Sequence, residues 1–231
     1  RASDVPTVMI TGASRGLGLE FARQYGADGW TVLSTCRDPV GVGELATIAG
    51  DIQVHGLDVT DHAQIERLAD ELSGVAMDVL INNAGLYGPR MDDADAVDYA
   101  QWRQVIETNA LSPLKVATAF TPHVAAGSLK TIATLTSKMG SIADNTSGGA
   151  YIYRSSKAAV NAVMRSLAWD LKPQGINVIL LHPGWVKTDM GGSNALIDAE
   201  TSVSGLRRVI AETGPRETGS FFNYDGAQIP W

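Results

Sequence analysis

Cysteine occurs once, at Cys36, in a chain of 231 residues, so no internal disulfide framework can form. The four histidines, His55, His62, His123 and His182, lack metal-ligand spacing, and no metal site is expected. No apolar run approaches the roughly 18 residues needed to span a bilayer. The residues from Arg1 onward lack the charged-then-apolar pattern of a signal peptide. Positive charge is also scarce: 18 Lys and Arg stand against 25 Asp and Glu, giving a formal net charge of -7. That balance removes any general attraction to phosphate polymers or anionic membranes. A reducing, cytoplasmic setting is expected, with no nucleic-acid partner and no membrane span.

What is present is a 45% hydrophobic chain with no low-complexity tract, which is long enough for one substantial core. A single domain over residues 1–231 is expected. Short apolar runs alternate with longer amphipathic stretches. Strands are expected at Val5 to Ile10, Thr31 to Thr35, Ile52 to Gly56, Val79 to Asn82, Leu129 to Thr136, Asn177 to His182 and, weakly, Ser220 to Phe222. Helices are expected at Gly16 to Ala27, Ala63 to Ser73, Tyr99 to Val124, Ala150 to Leu171 and Ala199 to Glu212. This alternation implies an α/β fold, a single Rossmann-type doubly wound parallel sheet of about seven strands with helices on both faces. Pro113 falls inside the long helical stretch, where a missing N–H should produce a kink or local irregularity. Gly184 to Ser204, rich in Gly, Ser and Thr, reads as a mobile loop over a pocket.

Between the first strand and the first helix lies Thr11-Gly12-Ala13-Ser14-Arg15-Gly16-Leu17-Gly18. A glycine-rich turn opening a helix offers backbone amides to a dinucleotide, with Gly12 for the tight turn, Gly16 for close approach of the pyrophosphate and Gly18 for helix packing. Ser14, Arg15 and Leu17 complete this loop. Where an acidic residue at the end of the second strand would hydrogen-bond a ribose, this chain reads Cys36-Arg37. Arg37 with Arg15 could clamp a 2′-phosphate, which favours NADP(H) over NAD(H), although Asp38 stands next to them. Cys36 itself reads as a small packed residue.

Leu57-Asp58-Val59 and Asn82-Asn83-Ala84-Gly85 follow the third and fourth strands, at the carboxyl ends where open α/β sheets bind ligands. Asp58 could accept from an adenine amine or cap the next helix. Asn82 and Gly85 could line the nicotinamide half.

Tyr153 precedes Lys157 by four residues, about one helical turn, so the phenol and ammonium share a helix face. A neighbouring cation favours the ionised phenol and brings a group of ordinary pKa about 10 closer to proton transfer at neutral pH. Tyr151 is a rival phenol but lies off the lysine's face.

Taken in order, Thr11 to Gly18, Asn82 to Gly85, Ser137, Tyr153 with Lys157, and Pro183-Gly184 resemble the short-chain dehydrogenase/reductase family. Ser137-Lys138-Met139-Gly140-Ser141-Ile142, the run from Tyr153 to Asn161 and the tail from Asn223 to Trp231 resemble its C-factor and sniffer-like carbonyl reductase branch. The resemblance implies a carbonyl or alcohol substrate, with Tyr153 as general acid, Lys157 supporting it and contacting the nicotinamide ribose, and Ser137 holding the substrate oxygen. Thr136 and Ser141 are competitors of Ser137, but Gly140 fits the family's serine motif only for Ser137. Asn109 matches the helical asparagine of a water-linked relay. After Pro183 and Gly184, the backbone of Val186 and the hydroxyl of Thr188 match contacts to the carboxamide. Trp185, Met190 and Leu196 could touch substrate or pack the core, and the Asp144 to Gly149 stretch suggests an altered pocket rim. A homodimer or homotetramer through the Tyr153 helix and its neighbour is implied as well. A dinucleotide-binding regulatory role of C-factor type is the alternative to turnover.

Overall fold

The computed structural model describes residues 5–90 and 93–231. Seven strands form one wholly parallel sheet in the order β3-β2-β1-β4-β5-β6-β7. They are β1 (Thr7–Ile10), β2 (Thr31–Cys36), β3 (Asp51–Gly56), β4 (Val79–Asn82), β5 (Thr131–Leu135), β6 (Asn177–His182) and β7 (Phe221–Asn223). The helices are α1 (Gly16–Ala27), α2 (His62–Glu71), α3 (Tyr99–Ile106), α4 (Ser112–Ala126), α5 (Tyr151–Leu171) and α6 (Ala199–Glu212).

Because alternate residues of a strand face opposite sides, the sheet feeds two cores. Val8, Ile10, Val32, Val79 and Ile81 pack against α1 and α6. Met9, Leu33, Leu80 and Ile132 pack against α2, α4 and α5. The chain runs outward from β1 through β2 to β3, then returns to β4 on the other side of β1. A crevice is thereby left at the carboxyl ends of β1 and β4, where the strand order reverses.

The expected elements are all present, with shifted ends. β1 starts at Thr7, since Pro6 has no N–H for the ladder. β5 starts at Thr131, because Lys130 takes a left-handed backbone with φ 52° and leaves Leu129 exposed. The irregularity expected at Pro113 is a π-helical segment, Glu107–Leu111, that separates α3 from α4. Pro113 thus sits in the first turn of a new helix, where its missing N–H is tolerated.

The stretch expected as a mobile loop from Gly184 to Ser204 is shorter and tied down. Val186 bridges Ile197, Lys187 N–H donates to the Ile197 carbonyl at 2.9 Å, and α6 already begins at Ala199, capped by Asp198. Backbone pairing consumes the polar groups that a free loop would leave to water.

Candidate active site

The glycine loop is welded to the end of β4 by one hydroxyl. Thr11 Oγ1 accepts from the N–H groups of Asn83 at 3.0 Å and Ala84 at 3.1 Å. The Asn83 side chain returns Nδ2 to the carbonyls of Thr11 at 2.9 Å and Gly12 at 3.1 Å. Gly18 lies so close beneath that a Cβ there would be 2.2 Å from the Gly12 carbonyl oxygen and 2.6 Å from Asn83 Nδ2. α1 has no side-chain cap and no acidic residue in its first turn, and the N–H groups of Gly16, Leu17 and Gly18 have no backbone partner among the described residues. Ser14, Arg15, Gly16 and Leu17 form the lip, and Gly16 opens toward Thr188 across the crevice, with a Cβ position 3.8 Å from Thr188 Cγ2.

At the β2 end, Arg37 is exposed and makes no ion pair among the described residues. Asp38 is turned away from any ligand role: its Oδ1 accepts from the N–H groups of Val40 and Gly41, both at 3.1 Å. Cys36 is buried and donates to the Asp38 carbonyl, as a packed thiol would. Arg15 meets Asp189 at 3.8 Å, an exposed and therefore weak pair. Asp58 closes a turn onto Thr60 at 2.9 Å, next to Val59, and the cap of α2 is Asp61 instead. The capping alternative for Asp58 is thus corrected.

Asn82 does not line the crevice. Buried to 4%, it donates Nδ2 to the Pro113 carbonyl at 3.2 Å and to Thr134 Oγ1 at 3.3 Å, so its amide serves the core rather than a nicotinamide. Gly85 lies between Asn109 and Lys157: a Cβ would fall 3.3 Å from Asn109 Oδ1 and 3.7 Å from Lys157 Nζ. Asn109 is buried in the π segment, where Nδ2 donates to Ser156 Oγ at 3.0 Å.

Ser137, Tyr153 and Lys157 come together at the ends of β5 and α5. Ser137 Oγ accepts from Met139 N–H at 3.1 Å, and its hydroxyl is close enough to the Tyr153 phenol to lower that group's pKa. The rival hydroxyls are spent elsewhere, Thr136 on Asn161 at 2.6 Å and Ser141 on the Asp144 N–H at 3.1 Å. The rival phenol of Tyr151 is exposed. Lys157 is buried to 6%, with Nζ donating to the Leu135 carbonyl at 3.1 Å and lying 5.7 Å from the Tyr153 ring centroid.

The expected ionisation is reversed. Burial pushes the Tyr153 pKa up to about 12, against a lowering by the Ser137 hydrogen bond, and pulls Lys157 down to about 8. Loss of water around both groups outweighs the attraction expected from their spacing.

Beyond Pro183, whose carbonyl accepts from Ser202 Oγ at 2.6 Å, and Gly184, the buried Val186 and Thr188 turn back over the crevice. Thr188 Oγ1 accepts from the Gly191 N–H at 3.2 Å. Trp185, Met190 and Leu196 are exposed around this loop rather than packed in the core. Beside the Ser137 turn lies a cavity of about 430 Å³ lined by Lys138, Asp144, His182, Trp185, Leu196 and Tyr224, among others. Asp144, in the expected rim, pairs with Lys138 at 3.2 Å. His182, read from the sequence only for metal spacing, is driven down to about 4 by burial and by Lys138, and its Nδ1 has no partner among the described residues.

Residues 6–196 match the family described as short chain dehydrogenase. The chain is 50% identical over 155 residues to the C-signal of Myxococcus xanthus, an alignment covering 67% of this chain and 93% of that protein. Its fold superposes on the carbonyl reductase Sniffer of D. melanogaster with a TM-score of 0.90 and 33% identity, covering 98% of this chain and 100% of the other. The NADPH-bound carbonyl reductase from chicken fatty liver gives 0.89 and 33%, covering 98% and 99%. Among the described residues, no helix is long and apolar enough to cross a membrane, and no group of His, Cys, Asp and Glu could hold a metal ion.

Proposed function

The chain belongs to the short chain dehydrogenase family, and from that premise we propose that it is an NADP(H)-dependent oxidoreductase that reduces a small ketone, aldehyde or quinone to the alcohol, or runs the reverse. One observation carries the reading: the buried side chains of Ser137, Tyr153 and Lys157 converge beside the switch-point crevice, with the Lys157 ammonium 5.7 Å from the Tyr153 ring centroid.

The amides of Ser14 to Gly18 receive a pyrophosphate, while Asp58 and Val59 border the adenine. Asn83, Ala84 and Gly85, with Pro183, Gly184, Val186 and Thr188, frame the nicotinamide half. NADP(H) is favoured because Arg37 is exposed and has no ion pair among the described residues, while Asp38 is committed to its own turn. The NADPH bound to the chicken reductase supports the same preference. When bound, the cofactor supplies or accepts the hydride.

Tyr153 holds the proton for the substrate oxygen. A pKa near 12 keeps it loaded as an acid at neutral pH. The Ser137 hydroxyl, fixed by Met139 N–H, orients that oxygen. Lys157, near 8, can pass a proton to the phenol and be reloaded. Asn109, in the π segment beside Lys157, is the residue that would support a water-linked proton relay to Lys157. Assembly as a homodimer or homotetramer belongs to the same proposal, and the exposed Trp169 on α5 supports it.

The likeness to C-signal favours a second reading, a dinucleotide-binding regulatory protein with little turnover. Titration with NADPH and NADH, followed by cofactor oxidation against a panel of ketones, aldehydes and quinones with Tyr153→Phe alongside, separates the two. Turnover lost in the variant supports the reductase. Tight NADPH binding without turnover favours the regulatory reading, and no binding of either cofactor refutes both.

A further inference from the structure

Tyr87, in the turn after β4, carries no part of the reading so far. Its ring stacks on the ring of Tyr153, with centroids 4.4 Å apart and planes inclined by 20°. The turn holding it is fixed on three sides. Asn109 grips the preceding residue in both directions, Oδ1 accepting from Leu86 N–H at 2.8 Å and Nδ2 donating to the Leu86 carbonyl at 2.7 Å. The following residue, Gly88, has φ 78° and presses onto α3, where a Cβ would come 2.8 Å from Val105 Cγ2. Arg90 then lays its guanidinium carbon 4.8 Å from the Tyr87 ring centroid and donates to the Met190 carbonyl at 3.2 Å. A ring held this firmly restricts the neighbour it covers.

We propose that Tyr87 is a positioning residue for Tyr153: its ring holds the phenol in one orientation, hydroxyl toward Ser137, and keeps water off the covered face, with Arg90 bracing Tyr87 while tethered to the loop after β6. Tyr87 acts through Tyr153. The step it serves rests on the proposed reduction, but its effect on the phenol does not.

Burial dominates the ionisation of Tyr153, opposed by the Ser137 hydroxyl after β5; the titratable and charged groups around it are Lys157 on its own helix, Tyr87 from the turn after β4 and, stacked on Tyr87, Arg90. His182, Lys138 and Asp144 act at one remove, since His182 feels Lys138, Asp144 and Lys157. Burial is the largest cause of the raised Tyr153 pKa, and the charge of an ionised Tyr87 phenol adds a smaller push in the same direction. Removing the Tyr87 ring admits water and lowers that pKa.

The test is an NMR titration of the cofactor-free protein labelled at tyrosine Cζ, from about pH 8 to 11, with Tyr153→Phe identifying the resonance. In the wild type Tyr153 stays protonated across this range. In Tyr87→Ala its midpoint falls by about one unit, so that the resonance moves before pH 11 is reached, whereas Tyr87→Phe, which keeps the covering ring and loses only the second phenol, stays nearer the wild type than the alanine variant. If the alanine variant does not fold, Tyr87→Leu is titrated in its place with the same expectation. With a carbonyl that the wild type reduces, Tyr87→Ala lowers kcat by about tenfold with KM within about threefold, and Tyr87→Phe recovers it. A purely structural ring would lower the melting temperature and leave the midpoint alone, and an unmoved midpoint in both ringless variants overturns the proposal. A wild type without turnover counts against the reductase reading, whereas the NMR arm still decides this one.

Discussion

At the glycine-loop end of the crevice, the groups offered to a ligand are backbone N–H groups and two exposed arginines, Arg15 and Arg37. At the tyrosine end they are side chains with little access to solvent, Ser137, Tyr153 and Lys157. The open end works through geometry of the main chain and through charges that water and salt can screen. The closed end works through desolvation, which there overrides the attraction between a cation and a phenol. Substitutions at the two ends should therefore fail in different ways.

The largest expected effect is at the closed end. Tyr153→Phe should reduce carbonyl turnover by roughly 10²- to 10⁴-fold while NADPH affinity stays within about threefold, measured by single-turnover kinetics and fluorescence titration. Comparable loss of binding would erase the division between the ends. Next comes Gly18→Ala, whose new methyl would overlap the Gly12 carbonyl. Cofactor affinity should fall by about 100-fold, with about 1–3 kcal/mol of stability lost to overpacking, both read from calorimetry.

Arg37→Ala should narrow the preference for NADPH over NADH by about tenfold at low salt, and the wild-type preference itself should shrink toward about 0.5 M salt. A salt-independent preference would mean that the arginine is not the phosphate clamp.

The smallest effect sharpens the comparison through stability. The Lys157 pKa drops from 10.5 in the unfolded chain to about 8 in the folded one, so between those values the unfolded state binds more protons and stability rises with pH. Tyr153, raised from 10.0 to about 12, gives the opposite slope above pH 10. Cofactor-free wild type should gain roughly 1 kcal/mol between about pH 8 and 9.5, and Lys157→Met should abolish the gain in denaturant melts. A flat profile in the wild type would show that Lys157 is less desolvated than its surroundings imply.

Local spacing made the glycine loop and one pairing of the closed end legible. The limits of α1, the placing of Gly12, Gly16 and Gly18, and the shared helix of Tyr153 and Lys157 all follow from residues within a turn or two of one another. The departures arise where distant segments meet. Asn82 goes to the Pro113 carbonyl, Asp58 yields the cap to Asp61, and Thr11 braces β4, because each partner is set by how β4, α4 and the glycine loop pack. The direction of the Tyr153 shift was hidden for the same reason: spacing reveals a neighbouring charge, but not how much water remains around it. Tyr87 gave no signal in its own motif, since its role depends on a ring contributed by α5.

The π segment before Pro113 can also be read as an angular setting. A surplus residue in a helix advances everything beyond it by about 100° around the axis, and no smaller adjustment exists. Asn109 sits within that surplus turn, where one amide reaches both Leu86 and Ser156. Removing Leu111 would take out the surplus residue, set Pro113 where it interrupts the i to i−4 ladder, and swing Asn109 out of line with both. The alignment of two distant segments thus depends on a whole-number property of the chain, which a change of residue type can weaken but only a change of length can reset.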